Sequence, residues 1–361
     1  MNNLSEIKSK LLVSSLSETM KEAVDLIGKN KRRPLGKFSP WAWGLEPTRG
    51  CNLKCWHCTA YLLPKNKYKF MNKKTWQNTW KLIKELTPYC RVEMANTGEP
   101  TLHPNILEYI KMARQISPNS QIQITTNGTT LIKNQITYKQ LFDAGINIIY
   151  VDMYAPKEKH ISLVKKSGYD FFEYYSNKTC AWPSPWTFHN NPKIQFIALS
   201  EIPDNWPVQK ISRGGLGTFL NNIDFDKIPK NGNTLFGEKL KFDIKPVINA
   251  PERRCNQPMK YIQVMADGNY LMCCQDSMNE AKINANVNNG IDGFFKFWLG
   301  SYMQQTRKIL RDKDRPGHPI CSRCNIIFSR CDMKLWNKEL FNYYYDDDET
   351  LIKDNTEVHL I

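Results

Sequence analysis

Three thiols stand close together in Gly50-Cys51-Asn52-Leu53-Lys54-Cys55-Trp56-His57-Cys58. Thiolates so near one another in a chain are ligands for a soft metal centre. Their number is informative. A four-iron four-sulfur cluster held by four cysteines is coordinatively complete, whereas three cysteines leave one iron able to take a cofactor or substrate. Catalytic metal sites keep such an open position. The same spacing also suits a zinc ion held by these thiols with His57 or a distant donor. The chain has eleven cysteines, and its first ten residues lack the apolar core of a secretory signal. Reduced, metal-binding thiols are therefore expected rather than a disulfide framework.

Such thiols need a scaffold, and the hydrophobic pattern describes one. Apolar residues at three- and four-residue steps predict a helix over 4–28, followed by a basic, proline-containing stretch to residue 40. Residues 41–46 then read as a strand, 73–86 as a helix, 91–95 as a strand and 106–116 as a helix. The alternation continues with a strand at 121–125, a helix at 138–144 and a strongly apolar strand at 146–154. Strands at 194–199 and 208–212 follow, with a proline- and tryptophan-rich loop before them. This alternation predicts a parallel sheet with right-handed crossovers, whose ligand sites gather at the carboxyl ends of the strands.

The segment from Cys51 to Cys58 resembles the signature of the radical S-adenosylmethionine (SAM) superfamily: cysteine, three residues, cysteine, two residues, cysteine, after the first barrel strand. The resemblance implies that SAM chelates the open iron of a four-iron four-sulfur cluster on Cys51, Cys55 and Cys58. Reductive cleavage then yields a 5'-deoxyadenosyl radical that abstracts hydrogen. His57 takes the place of an aromatic residue near the adenine. Thr97-Gly98-Glu99-Pro100 is similar to the family's Gly-Gly-Glu-Pro segment, where strand-end backbone binds the SAM ammonium, and Thr97 replaces its first glycine. Asn127-Gly128 resembles the motif that ends the third strand. Asp152 aligns with a Ser or Asp that faces SAM in the family, and a strand-end Asp can equally be structural. Arg213, after the sixth strand, is a candidate partner for the SAM carboxylate, since a guanidinium binds a carboxylate through two parallel hydrogen bonds. Ordinary turns would also explain Gly-Glu-Pro and Asn-Gly singly. Their order, each after a successive strand, is what a turn does not predict.

Towards the carboxyl terminus, Cys255, Cys273, Cys321 and Cys324 resemble the SPASM and twitch extensions of that superfamily, which carry auxiliary clusters. Asp267-Gly268 suits a hairpin turn between 261–265 and 270–273, which would return Cys273 towards Cys255. The resemblance implies one auxiliary four-iron four-sulfur cluster on these four thiols, with Cys274 and Cys331 as alternate ligands or bystanders. Structural zinc is the alternative occupant. If the reaction is redox neutral, a thiol must return a hydrogen atom, and Cys180 is the candidate donor.

The expected fold class is α/β, a partial (β/α)6 TIM-like barrel with a smaller C-terminal cluster domain. The expected divisions are residues 1–40, a barrel over 41–215, a linker over 216–250, the cluster domain over 251–335 and an acidic tail over 336–361. The formal charge of +15 is read mainly as a solvated basic surface. No apolar run reaches the roughly 18 residues of a membrane span. A cytoplasmic oxidoreductase or epimerase is expected, acting on a small polar substrate such as a sugar. An electron donor such as flavodoxin or ferredoxin is implied by the family. A peptide substrate is the second reading, since relatives with these extensions modify peptides, although only the 4–28 helix precedes the barrel. A zinc-ribbon protein binding nucleic acid is the reading from another class.

Overall fold

The protein is described by a computed structural model over residues 40, 42–53, 55, 58, 60, 63, 67–88, 90–169, 172–175, 195–201, 231–233, 239–241, 255, 257–311 and 315–324. Its main sheet contains β1 Ala42–Leu45, β2 Arg91–Met94, β3 Gln121–Thr126, β4 Ile148–Met153, β5 Glu173–Tyr175, β6 Phe196–Glu201, β7 Tyr261–Val264 and β8 Tyr270–Leu271. The connecting helices are α1 Lys73–Leu86, α2 Ile106–Ile116, α3 Thr129–Ile132, α4 Tyr138–Ala144 and α5 Lys157–Lys166, followed by α6 Gln257–Lys260, α7 Gly290–Trp298 and α8 Ser301–Arg311. In space the strands run β8-β7-β1-β2-β3-β4-β6-β5. Every neighbouring pair is parallel except the β7–β8 hairpin.

Strand alternation separates two faces of this sheet. Trp43, Leu45, Val92, Met94, Ile122, Ile124, Ile149 and Val151 belong to one apolar core with Trp76, Trp80, Ile83 and Leu86 of α1 and Ile110 of α2. The facing residues of α1 recur at three- and four-residue steps, and Asn72 caps its first turn by accepting from the Thr75 N–H at 2.9 Å. A full capping box between Thr137 and Gln140 starts α4, and Gly145 ends it with φ 118°.

The opposite face carries buried polar groups on β2 and β3. Arg91 pairs with Glu93 at 3.0 Å, and Glu93 also accepts from Thr125 Oγ1 at 2.9 Å and Gln123 Nε2 at 3.3 Å. Ile148, Tyr150, Phe196 and Ala198 continue that face as a small apolar cluster.

The C-terminal region is built onto the same sheet. β7 pairs with β1 along its whole length, Ala42 opposite Tyr261 through Leu45 opposite Val264. Phe294 of α7 stacks on Trp43 with ring centroids 5.9 Å apart, so the first strand and α7 share one core. The expected turn at Asp267-Gly268 is present, with Gly268 at φ 87° and its N–H bonded to Met265 O at 2.9 Å.

The strand expected over 194–199 runs Phe196–Glu201 and lies inside the sheet, with β5 outside it at the edge. Helix α5 is weakly written in the sequence because only His160 and Val164 of its ten residues are buried, which leaves almost no apolar stripe. The expected helix at 4–28, the strand at 208–212 and the tail lie outside the described residues. Among the described residues no helix is long and apolar enough to cross a membrane.

Candidate functional site

The cysteine loop begins where β1 ends, and a backbone bridge fastens it to the segment after β2. Gly50 N–H donates to Thr97 O at 3.0 Å, and Glu99 N–H donates to Gly50 O at 3.0 Å, an isolated parallel bridge between Gly50 and Gly98. A Cβ on Gly98 would stand 1.9 Å from the Thr48 carbonyl oxygen, so the approach requires glycine. Gly50 itself sits at φ 111°. The two sequence motifs therefore form one unit.

Beyond the bridge, side chains tie in the third motif. Glu99, 2% exposed, accepts from Thr101 N at 3.0 Å and Thr101 Oγ1 at 2.6 Å, from Thr126 Oγ1 at 2.7 Å and from Asn127 N at 2.7 Å. Burial raises its carboxyl above the usual range, and these hydrogen bonds pull the other way. Asn127 Nδ2 reaches Cys51 Sγ at 3.3 Å and Asn52 Oδ1 at 3.1 Å. Asn52 in turn donates to Thr129 Oγ1 at 2.7 Å. Gly128 follows at φ 71°, where a Cβ would meet the His160 ring at 2.6 Å.

Cys51 also accepts from the Leu53 N–H at 3.3 Å. Its thiol is pushed up to about 12, first by burial and then by the Glu99 carboxylate, with Cys58 and Cys55 adding to the effect. Cys55 and Cys58 are thus near enough to act on Cys51. Tyr154, just past β4, is buried and hydrogen-bonded to Cys55; burial and the charges of Cys55, Asp152 and Cys58 hold its phenol well above the ordinary value. Asp152 lies half-buried in β4 opposite Ser200 of β6. Soft thiolates that receive N–H donors suit an iron–sulfur cluster. Among the described residues no three His, Cys, Asp or Glu side chains converge as one metal ion requires.

Cys255, Cys273, Cys321 and Cys324 line a single cavity, together with Met272, Asp276, Leu310, Arg315 and Ile320. Three stretches of chain separated by up to 69 positions thus supply one set of four thiols, which fits a fully ligated cluster. His318 shapes the last pair: its Nδ1 accepts from the N–H groups of Ile320 and Cys321, both at 3.1 Å, and its Nε2 meets Thr306 Oγ1 at 3.0 Å. Accepting at Nδ1 fixes the proton on Nε2, and burial pulls the ring's pKa down to about 4. Cys274 lies outside the cavity lining, hydrogen-bonded to Cys273 and receiving Gln275 Nε2 at 3.5 Å.

A residue that the sequence did not single out joins the two cysteine groups. Glu46 follows β1 and is fully buried. One carboxylate oxygen accepts from Thr97 N at 3.3 Å, Asn96 Nδ2 at 3.4 Å and Arg49 Nη1 at 3.4 Å; the other accepts from Ala266 N at 3.1 Å. Arg49 extends the link to Ser277 O at 3.3 Å. Burial raises Glu46 to about 7 against the pull of Arg49 and the two backbone donors. The sequence signal was present: a lone acid ending the apolar run Trp41 to Leu45. Tyr154, Arg315 and His318 carry no spacing signal. His57, Cys180 and Arg213 lie outside the described residues.

With this geometry in place, the comparisons with known proteins are specific. Residues 45–176 match the family model described as the Radical SAM superfamily. The chain is 21% identical over 283 residues to an S-adenosyl-L-methionine-dependent 2-deoxy-scyllo-inosamine dehydrogenase of Niallia circulans, covering 78% of this chain and 92% of that protein. It is similar to the crystal structure of BtrN in complex with AdoMet and 2-DOIA, with a TM-score of 0.55, 19% identity and coverage of 80% of this chain and 94% of that one. Streptococcus suis SuiB bound to S-adenosylmethionine aligns with a TM-score of 0.44 and 16% identity, over 84% of this chain and 78% of that one. The likeness to BtrN shows a shared fold, and the expected α/β partial-barrel class stands.

Two outcomes are expected. Gly98→Ala forces its methyl into the Thr48 carbonyl, and should cost at least about 1–3 kcal/mol of stability. Denaturant titration and the iron retained by the Cys51 loop read this, and a variant with wild-type values for both would refute the bridge's role. Because Glu46 is raised from 4.5 to about 7 in the folded chain, the folded state binds the extra proton between those values. Stability should therefore fall as pH rises through that window, by up to about 3 kcal/mol. Glu46→Gln should flatten the slope; an unchanged slope would show that Glu46 is not its source.

Proposed function

We propose, starting from the fact that this chain belongs to the radical SAM superfamily through residues 45–176, that it oxidises an alcohol of a small polar substrate such as an aminocyclitol or sugar. Membership implies a four-iron four-sulfur cluster and SAM, which together supply a radical able to take hydrogen from an unactivated carbon. Cys51, Cys55 and Cys58 would hold that cluster. The N–H donors of Leu53 and Asn127 steady Cys51, and the bridge through Gly50 and Gly98 fixes the loop against the strand ends. The backbone of Thr97 to Glu99 would receive the SAM ammonium, with Asp152, Asn127, His57 and Arg213 on the remaining sides. The carboxylate of Glu99 serves from behind, holding Thr126 and Asn127 in place.

The observation that carries oxidation, rather than a redox-neutral outcome, is the gathering of Cys255, Cys273, Cys321 and Cys324 around one cavity. Converting an alcohol to a carbonyl removes two hydrogens. One leaves as an atom, and the other leaves as a proton while its electron needs a second acceptor. Cys255, Cys273, Cys321 and Cys324 would hold a fully ligated auxiliary cluster, which would supply a one-electron acceptor without offering an open iron to substrate. The named activity of the Niallia circulans relative, a dehydrogenase for 2-deoxy-scyllo-inosamine, supports the same class of substrate. A reductant of the flavodoxin or ferredoxin kind would feed the first cluster, and the reaction would take place in the cytoplasm.

The test is anaerobic. Reconstituted protein should be brown and hold about eight irons, and Cys273→Ala should hold about four. With reductant and 2-deoxy-scyllo-inosamine or a hexosamine deuterated at the reacting carbon, deuterium should enter 5'-deoxyadenosine and a ketone should form. Colourless protein with zinc at both thiol groups would refute the reading, and a product that keeps its alcohol would replace oxidation by epimerisation.

A further inference from the structure

Four cysteines share the second cavity, and a cluster held on their thiolates would gather negative charge there. Among the described residues lining this cavity, Arg315 is the one cation. A guanidinium stays charged across the whole range in which a protein is folded. Arg315 is only 2% exposed, so water screens that charge weakly. Its Nη2 donates to the carbonyl oxygen of Cys324, which fixes the guanidinium against the last thiol loop.

One neighbour has the opposite sign. Asp276 lines the same cavity, but its two carboxylate oxygens accept from Glu280 N at 2.8 Å and Ala281 N at 3.1 Å, capping the turn that follows Cys273. Those two N–H dipoles offset part of its charge. His318, also near the last thiol pair, accepts two N–H bonds at Nδ1 and so adds no positive charge. The electrostatics of the cavity therefore turn on the fixed cation Arg315 and the partly compensated anion Asp276.

We propose that Arg315 tunes the auxiliary site: its buried charge favours the more negative, reduced state of an iron–sulfur cluster held by Cys255, Cys273, Cys321 and Cys324, which makes that site an electron acceptor. The inference rests on the reading of these thiols as an auxiliary cluster. A charge at this position acts on the two oxidation states unequally, because each added electron increases the attraction. Arg315 is a positioning and tuning residue and needs no contact with substrate.

The test uses the full chain with both thiol groups loaded with iron, poised in a mediated redox titration while the auxiliary signal is followed by electron paramagnetic resonance. Arg315→Gln keeps a donor for the Cys324 carbonyl and removes the charge, whereas Arg315→Lys keeps the charge. At the potential where the wild-type auxiliary site is half reduced, Arg315→Gln should raise the oxidised-to-reduced ratio at least about tenfold, equivalent to ~59 mV for one electron. Arg315→Lys should stay close to wild type. Asp276→Asn should shift the ratio the other way, and it provides the reading if Arg315→Gln fails to retain its iron. An unshifted midpoint in a fully loaded Arg315→Gln, a Lys variant that shifts as far as the Gln variant, or an Asp276→Asn shift of the same sign would each overturn the proposal. A site that is redox-active but indifferent to Arg315 leaves the auxiliary-cluster reading intact; a site that takes up only zinc overturns both.

Discussion

The site depends on one close approach of backbone to backbone. Two hydrogen bonds of 3.0 Å, from Gly50 N–H to Thr97 O and from Glu99 N–H to Gly50 O, join the segment after the first strand to the segment after the second, and the Thr48 carbonyl occupies the space a side chain on residue 98 would need. From that bridge the rest follows in sequence. The thiol loop leaves Gly50 in a fixed direction, Glu99 reaches across to the third strand end, and Asn127 returns to Cys51. Three strand ends are thus locked into one mouth. Ordering backbone costs roughly 1–2 kcal/mol per residue, and the bridge and the Asn127 contact hold Gly50 and Cys51 in place without a metal.

The second thiol group is attached to this mouth through the sheet itself. Because β7 lies against β1, the hairpin that leads to Cys273 is an extension of the sheet that presents Cys51. Glu46 makes the junction specific: one buried carboxylate accepts from the backbone after β2 and from the hairpin turn, while Arg49 continues to Ser277. Stacking of Trp43 on Phe294 repeats the attachment on the apolar face. A mount of this kind holds the two cysteine groups on one sheet, with few ways for one to move relative to the other.

Much of this was legible in the sequence, and the reasons are physical. The helices at 73–86, 106–116 and 138–144 carry strong apolar stripes and were read with the bounds they have in the structure. The thiol pattern marked both cysteine groups because ligand number and spacing are chemical requirements, and the structure gathers Cys255, Cys273, Cys321 and Cys324 around one cavity. Helix α5 was not read, since two buried residues make no periodicity. Neither was the joining of β7 to β1, because pairing between residues more than two hundred positions apart leaves no local trace. The buried polar face of Arg91, Glu93 and Gln123 was likewise hidden, as alternation reveals which residues share a face but not that both faces are covered. Glu46 finds its partners at Thr97 and Ala266, far along the chain, and a single acid carries no mark of that.

The central claim is that the Cys51 loop presents an iron with a free position to SAM. The most direct measurement is electron–nuclear double resonance on the reduced, fully loaded protein with SAM isotopically labelled at its amino nitrogen and carboxylate oxygen. The account predicts hyperfine coupling of both labels to the cluster on Cys51, Cys55 and Cys58. Labels that show no coupling, with SAM bound and the cluster reduced, would mean that a protein donor closes that iron, and would contradict it.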